Sequence, residues 1–281
     1  MVSLFRFLRR PAGPSKRVVF TCLLGYSEPF ADQHYEKDGR TDFICFTDDR
    51  SLKSDMWTFR YVDTGLLGPV RTAKMIKILA HRFLGEYETS IYVDNTIRMV
   101  VPYAETFARL ERSASPMITF RHPWRSCVYE EAEAVKAAGY DDPGTIDSQM
   151  KYYRSIGHPV NAGLAASGFQ ARRHNDPVLI DVMLQWFFQV CRYSYRDQLS
   201  FNVVARQLGF EPDYFSGSQT DGQTILWPAI SVKDRLPRDF RDDVYLELHE
   251  DVRRAGVNPR EHYLKNGMAE GRAYKRAVSQ S

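Results

Sequence analysis

Asp94 ends the apolar run Ser90-Ile91-Tyr92-Val93. A carboxylate at such a strand end can hold Mg²⁺ or Mn²⁺ while the cation's other positions stay open to phosphate oxygens. Asp94-Asn95-Thr96 also has the composition of an ordinary turn after a strand. A second acidic end, Asp48-Asp49, follows the run 42–47. It offers carboxylates to the hydroxyls of a ribose or to a base, or it starts a loop. Arg71, Lys74 and Lys77 lie on one face of the segment 71–84, directly after Gly68-Pro69. They can neutralise a diphosphate, helped by backbone amides at the helix start, although a basic row opposite an apolar face is also what a surface helix shows.

Two further groups bear on chemistry. Arg121, His122, Trp124 and Arg125 follow a strand-like run and can stack on a sugar or base and contact phosphate. His122 reads either as a catalytic or metal-completing group or as a structural hydrogen-bonder. Asp197 is the fourth residue of Ser194-Tyr195-Arg196-Asp197, which has the capping-box pattern. A carboxylate there would equally accept the proton of an acceptor hydroxyl.

These residues need a frame. The run from Val18 to Leu24 is short, apolar and partly β-branched, and it stops at Gly25. With 42–47 and 90–93 it predicts buried strands alternating with helices, hence a mostly parallel α/β sheet whose ligands bind beyond the strands' carboxyl ends. On 71–84, Met75, Ile76, Leu79 and Phe83 share the apolar face, and Arg71, Lys74, Lys77, His81 and Arg82 the polar one. Asp176-Pro177 caps a helix that is apolar around most of its circumference and so is expected to be buried. Another helix is expected from Ser194 to just before Gly209. Near the C-terminus two short helices are expected, roughly 242–255, stopped by Gly256, and 259–266, started by Asn258, Pro259 and Glu261.

Composition sets the bounds. A chain of 281 residues with 43% hydrophobic content buries one sizeable core. The 38 basic and 35 acidic residues leave a net charge of +3, too balanced for a nucleic-acid coat. Four scattered cysteines form no metal or disulfide framework and suit a reducing cytosol. No stretch approaches a membrane span. The basic N-terminus reads as a flexible leader, or as a weak contact with anionic lipid that would allow peripheral association at the inner membrane face.

Taken in order, several segments resemble a family of GT-A-type glycosyltransferase-like proteins long catalogued as a domain of unknown function. The family has bacterial members and plant relatives tied to cell-wall polysaccharide. The matching pieces are VVFTCLLGYSEPF, DFICFTDD, RTAKMIKILAHRFL, SIYVDNTI, FRHPWRSCVYEEA, ARRHND and SYRDQLSF, covering roughly residues 17–215. The resemblance implies a GT-A-like, Rossmann-like α/β fold with a nucleotide-binding N-terminal half and an acceptor-shaping C-terminal half. It favours Asp94 at the metal, Arg71 and Lys74 at the donor diphosphate and Asp197 on the acceptor side; Gly25, Asp48, Asp49, Lys77, Asn95 and Arg121 are the further donor-side candidates, and His122 is a catalytic candidate that the resemblance leaves undecided. Thr96 stands where many GT-A enzymes have a second Asp, so the metal is completed by His122 or Asp197, is bound only with nucleotide, or is replaced by Arg and Lys. The segment 242–272 is similar to a module found beside bacterial polysaccharide glycosyltransferases and suggests protein docking, or else a helical cap on the main domain.

The organisation expected is a flexible tail over 1–16, a GT-A-like domain over 17–232 and a small helical module over 233–281. The expected function is transfer of a sugar from a nucleotide-sugar donor, UDP-linked, to a saccharide or lipid-linked acceptor, aided by Mn²⁺ or Mg²⁺, in the cytoplasm and without nucleic acid. A non-catalytic nucleotide- or glycan-binding module and a metal-dependent hydrolase using Asp94 and His122 are the alternatives.

Overall fold

A computed structural model describes residues 17–25, 29–228, 236–237, 239–267, 270 and 272–276. The expected basic tail over 1–16, part of the first matching segment (26–28) and much of the junction before the C-terminal module fall outside the described residues.

The chain begins β1 (Arg17–Leu23), β2 (Thr41–Thr47), β3 (Thr58–Tyr61), α1 (Gly68–Ile78), α2 (Ala80–Phe83), β4 (Thr89–Val93), β5 (Arg98–Met99) and α3 (Tyr103–Arg112). It continues through β6 (Met117–Arg121), α4 (Val128–Ala137), α5 (Pro143–Ser155), β7 (Ala165–Arg172), α6 (Pro177–Arg192), a 3₁₀ turn (Asp197–Leu199), α7 (Phe201–Gln207), β8 (Asp213–Tyr214) and β9 (Ile225–Leu226). Among the described residues, three short helices follow, α8 (Asp242–Leu248), α9 (Glu250–Ala255) and α10 (Pro259–His262), the last running into a π-helical turn (Tyr263–Gly267).

Seven strands form one sheet in the order β3-β2-β1-β4-β7-β6-β8. Within it only β7 opposes its neighbours, pairing antiparallel with both β4 and β6. The expected mostly parallel α/β sheet is therefore present. Both faces are covered, which explains why β1 is apolar at nearly every position. Val18 and Phe20 enter the core beneath α1, α6 and α7, while Val19 and Leu23 enter the one beneath α3.

Several helices differ from the sequence expectation. The segment 71–84 is two helices, because the buried Arg172 guanidinium takes the carbonyls of Lys77 (2.7 Å) and Ile78 (3.4 Å) and Leu79 turns out of helical geometry. α6 is capped by Asp176 as expected, its side chain accepting from Val178 and Leu179. It is not buried all round, since Val178 and Phe188 are exposed. The predicted helix over 242–255 breaks at His249, whose Nε2 lies 2.8 Å from the Ala273 carbonyl. Gly256 (φ 62°) and Asn258 stop and start the helices where expected. α8, α9 and α10 share a small aromatic core around Phe240, Tyr245 and Tyr263.

Candidate active site

The carboxyl ends of β1, β2 and β4 gather at one end of the sheet with α1 and the start of β7. Gly25 leaves β1 at φ 77°, a left-handed conformation that glycine adopts freely. A Cβ there would stand 2.4 Å from Cβ of Pro69, so the bare Cα also lets α1 approach. The Gly25 amide donates to both Asp48 oxygens, at 3.2 and 3.0 Å. Asp48 thereby ties the end of β1 to the end of β2. Asp49 shapes the next turn by accepting from the amide and hydroxyl of Ser51. Asn95 holds the chain after β1, accepting from the Ala31 amide (2.8 Å) and donating to the Pro29 carbonyl (2.9 Å).

Asp94 sits between β4 and β7. Its amide donates to the Gly168 carbonyl (2.8 Å), and its Oδ1 accepts from the Tyr92 hydroxyl at 2.5 Å. Burial, reinforced by the Asp94 charge, pushes the Tyr92 phenol well above its usual range, which keeps it a proton donor. Oδ2 faces Gly168, where any Cβ would come within 2.9 Å, so glycine leaves room for the carboxylate.

Lys77 is not on a solvent face. Its side chain is 2% exposed, with Nζ 2.6 Å from Asp197 Oδ2, 3.2 Å from Ser167 Oγ and 5.0 Å from the Tyr92 ring centre. Lys74, 18% exposed, takes the other Asp197 oxygen at 3.1 Å. Asp197 does not close a capping box. Its carboxylate points away from Ser194 to the two lysines, and the Ser194 hydroxyl instead donates to Asp141. Burial pushes the Asp197 pKa up, but Lys74 and Lys77 outweigh it and hold the carboxyl well below its usual range. Burial draws the Lys74 pKa down, against the pull of Asp197. As placed, Asp197 is a buried counter-ion shared by two ammonium groups, with little basicity.

The other predicted residues lie elsewhere. Arg71 donates to the carbonyls of Val190 (3.3 Å) and Tyr193 (3.1 Å), closing the C-terminal end of α6. His122 Nδ1 accepts from the amides of Trp124 and Arg125, and Nε2 lies 3.5 Å from Glu131. Burial lowers its pKa, with Glu131 opposing. Both ring nitrogens therefore shape the loop after β6, and His122 is not brought to Asp94. Arg121 lies over the Tyr214 ring at 3.9 Å, on the β6–β8 side. Nearby in sequence, Trp124 is 62% exposed and its ring lies 5.9 Å from that of Trp227.

This donor set decides what cation would fit. Among the described residues no three His, Cys, Asp or Glu side chains gather around a common point. His122 and Asp197, the expected partners of Asp94, are engaged with Glu131 and with the lysines. A protein-only cage does not fit, whereas a Mg²⁺-type ion shared between one carboxylate and substrate phosphates does.

Sequence reasoning missed Tyr92, Ser167 and Gly168. Tyr92 was within reach, because it lies two residues before Asp94 on the same side of a strand. Ser167 and Gly168 carry no local signal, since β7 reaches Asp94 only through its antiparallel pairing.

Comparison with known proteins places this geometry in context. Residues 47–216 match the TOD1/MUCI70 glycosyltransferase-like domain. Over 153 residues, 51% of the chain, it is 30% identical to the probable hexosyltransferase MUCI70 of Arabidopsis thaliana, of which it spans 26%. Among solved structures, the apo WbbM bifunctional glycosyltransferase is similar over 74% of this chain and 40% of its own, with 8% identity and a TM-score of 0.46. Apo mouse xyloside xylosyltransferase 1 is similar over 72% and 84%, with 8% identity and a TM-score of 0.43. With well over half its length in the matched region, the chain belongs to the TOD1/MUCI70 glycosyltransferase-like domain family.

Proposed function

We propose that the protein transfers a hexose from a nucleotide-sugar donor, UDP-linked, to a saccharide or lipid-linked acceptor in polysaccharide assembly. The observation that carries this reading is the meeting of Asp94 with the Lys74–Asp197–Lys77 cluster at the strand ends, where α/β sheets bind ligands. Similarity to a probable plant hexosyltransferase supports a hexose. Departure of a nucleoside diphosphate concentrates negative charge, and fixed cations in a buried site stabilise it strongly. Lys74, the more accessible ammonium, faces that charge, while Lys77 and Asp197 hold it in place. Mg²⁺ or Mn²⁺, when bound, would be held by Asp94 with the donor's phosphate oxygens and would add further charge stabilisation. The exposed Trp124, backed by the half-buried Trp227, offers the acceptor an aromatic face.

The reaction takes place in the cytoplasm; four free cysteines support that placement. Among the described residues no helix is long and apolar enough to cross a membrane. α8, α9 and α10 serve as a docking unit for a partner protein.

The test is calorimetric titration with a panel of UDP-hexoses, with and without Mn²⁺, paired with an assay for UDP released in the absence of acceptor. Binding that weakens in Asp94→Asn and Lys74→Met supports the assignment, and binding indifferent to both sinks it. A second reading, a nucleotide-binding module without turnover, draws on Asp94 being a lone carboxylate; slow release of UDP would exclude it. The hydrolase alternative loses its basis, because His122 is committed to Glu131 and its own loop.

A further inference from the structure

A cleft of about 390 Å³ opens on the other flank of β7 from Lys77, between the end of β6, α7 and β8. Its charged lining is Arg121, Arg206 and Glu211. Arg121 and Arg206 are both exposed, and neither has a carboxylate partner among the described residues. Most other arginines in the described structure are tied to carboxylates or to carbonyls, as Arg71 and Arg172 are. Arg121 is held over the Tyr214 ring, its Cζ 3.9 Å from the ring centre, which restrains the guanidinium before any ligand arrives. The Tyr214 hydroxyl is hydrogen-bonded to Asn202, and Asn202 in turn accepts from the Ala165 amide at 2.7 Å. Gly163, at φ 90°, leaves the floor without a side chain.

The cleft is also in register with the donor side. Ala165, which anchors Asn202, lies three residues before Gly168, which faces Asp94, and three strand residues span about 10 Å. A group seated between the arginines would therefore lie about one or two sugar rings away from the transfer point.

We infer that this cleft is an anion-binding acceptor subsite, in which Arg121 and Arg206 hold an oxyanion carried by the acceptor, either the carboxylate of an acidic sugar or a phosphate. Paired guanidinium groups suit both, because each presents a planar fork of donors to carboxylate or phosphate oxygens. Glu211 leaves the lining one positive charge in excess and disfavours dianions that approach from its side. The inference rests on the transferase reading only in calling the ligand an acceptor.

The test is an NMR titration of the full chain, without nucleotide, using glucose, glucuronate and glucose 1-phosphate as probes. One of the two anions is expected to bind and glucose not to, with affinity falling about tenfold in Arg206→Gln and in Arg121→Gln and also falling as salt is raised. Preference for glucuronate assigns the carboxylate source, and preference for glucose 1-phosphate assigns the phosphate source. Binding of neither anion, binding of glucose as tightly as of the anions, or anion binding that survives both substitutions would overturn the proposal. Because no nucleotide is present, failure of the donor site leaves the result readable.

Discussion

Two sets of basic side chains flank the first residues of β7, and they are kept in opposite states. On the α1 side, Lys77 is buried and Lys74 half-buried, and both are locked to a single carboxylate. On the β6–β8 side, Arg121 and Arg206 are exposed and lack such a partner among the described residues. A buried ammonium without a counter-ion would be strongly disfavoured, so Asp197 is the condition for keeping two lysines inside the fold. An exposed guanidinium stays hydrated and needs no internal partner. The buried set is thus pre-organised and contributes to the fold, whereas the exposed set is available to a ligand.

The largest expected effect tests the buried side. Asp197→Asn should lower unfolding stability by about 3–5 kcal/mol in denaturant titrations, since it removes the counter-ion shared by the buried Lys77 and the half-buried Lys74. Arg121→Gln should change it by less than about 0.5 kcal/mol. Equal costs would abolish the contrast. Next, Asp94→Asn should cut acceptor-independent UDP release about 10²–10³-fold with little change in stability, as removal of one fixed transition-state contact does. A comparable loss in the folded fraction would instead make Asp94 a structural turn residue.

His174 supplies an intermediate test on a buried group outside the cluster. Its Nε2 lies 2.9 Å from the Leu84 carbonyl, and burial pulls its pKa down to about 4. The unfolded chain, with an imidazole near 6.5, takes up the proton first as pH falls. The stability contributed by neutral His174 is therefore full above about 6.5, declines between about 6.5 and 4, and is lost below, by about 3 kcal/mol in all. Subtracting the pH profile of His174→Gln from that of the wild type should isolate this step, and parallel profiles would show that His174 is not what titrates. The smallest effect belongs to the exposed side: Trp124→Ala should raise the acceptor KM severalfold, about 1 kcal/mol, with kcat for donor hydrolysis unchanged. A change confined to hydrolysis would move Trp124 to the donor.

The strands and the acids at their ends were legible because both are local: an apolar run, then a polar stop. The caps at Asp176 and Asn258 were legible for the same reason. Lys77 was not, because its place on the helical wheel matched a hydrated stripe, and only Asp197, 120 residues on, makes its burial tolerable. Arg71 was misread similarly; its acceptors at Val190 and Tyr193 lie about 120 residues away and only the packing of α1 on α6 brings them near. Asp197 had a complete local explanation in the capping box, and long-range charge pairing overrode it. Where a charged residue's partner is distant in sequence, local pattern assigns it to the surface by default.

The reversed strand has a consequence for biosynthesis. β4 is flanked in the sheet by β1 and β7 alone, and β7 begins at Ala165, 72 residues after β4 ends at Val93. At the usual 5–20 residues per second the ribosome needs roughly 4 to 14 seconds to supply that partner. During that interval the nascent chain carries an open, apolar strand edge of the kind that recruits other chains. Truncation before β7 should therefore yield an aggregating fragment, and chaperone capture of stalled nascent chains should peak between the emergence of β4 and that of β7.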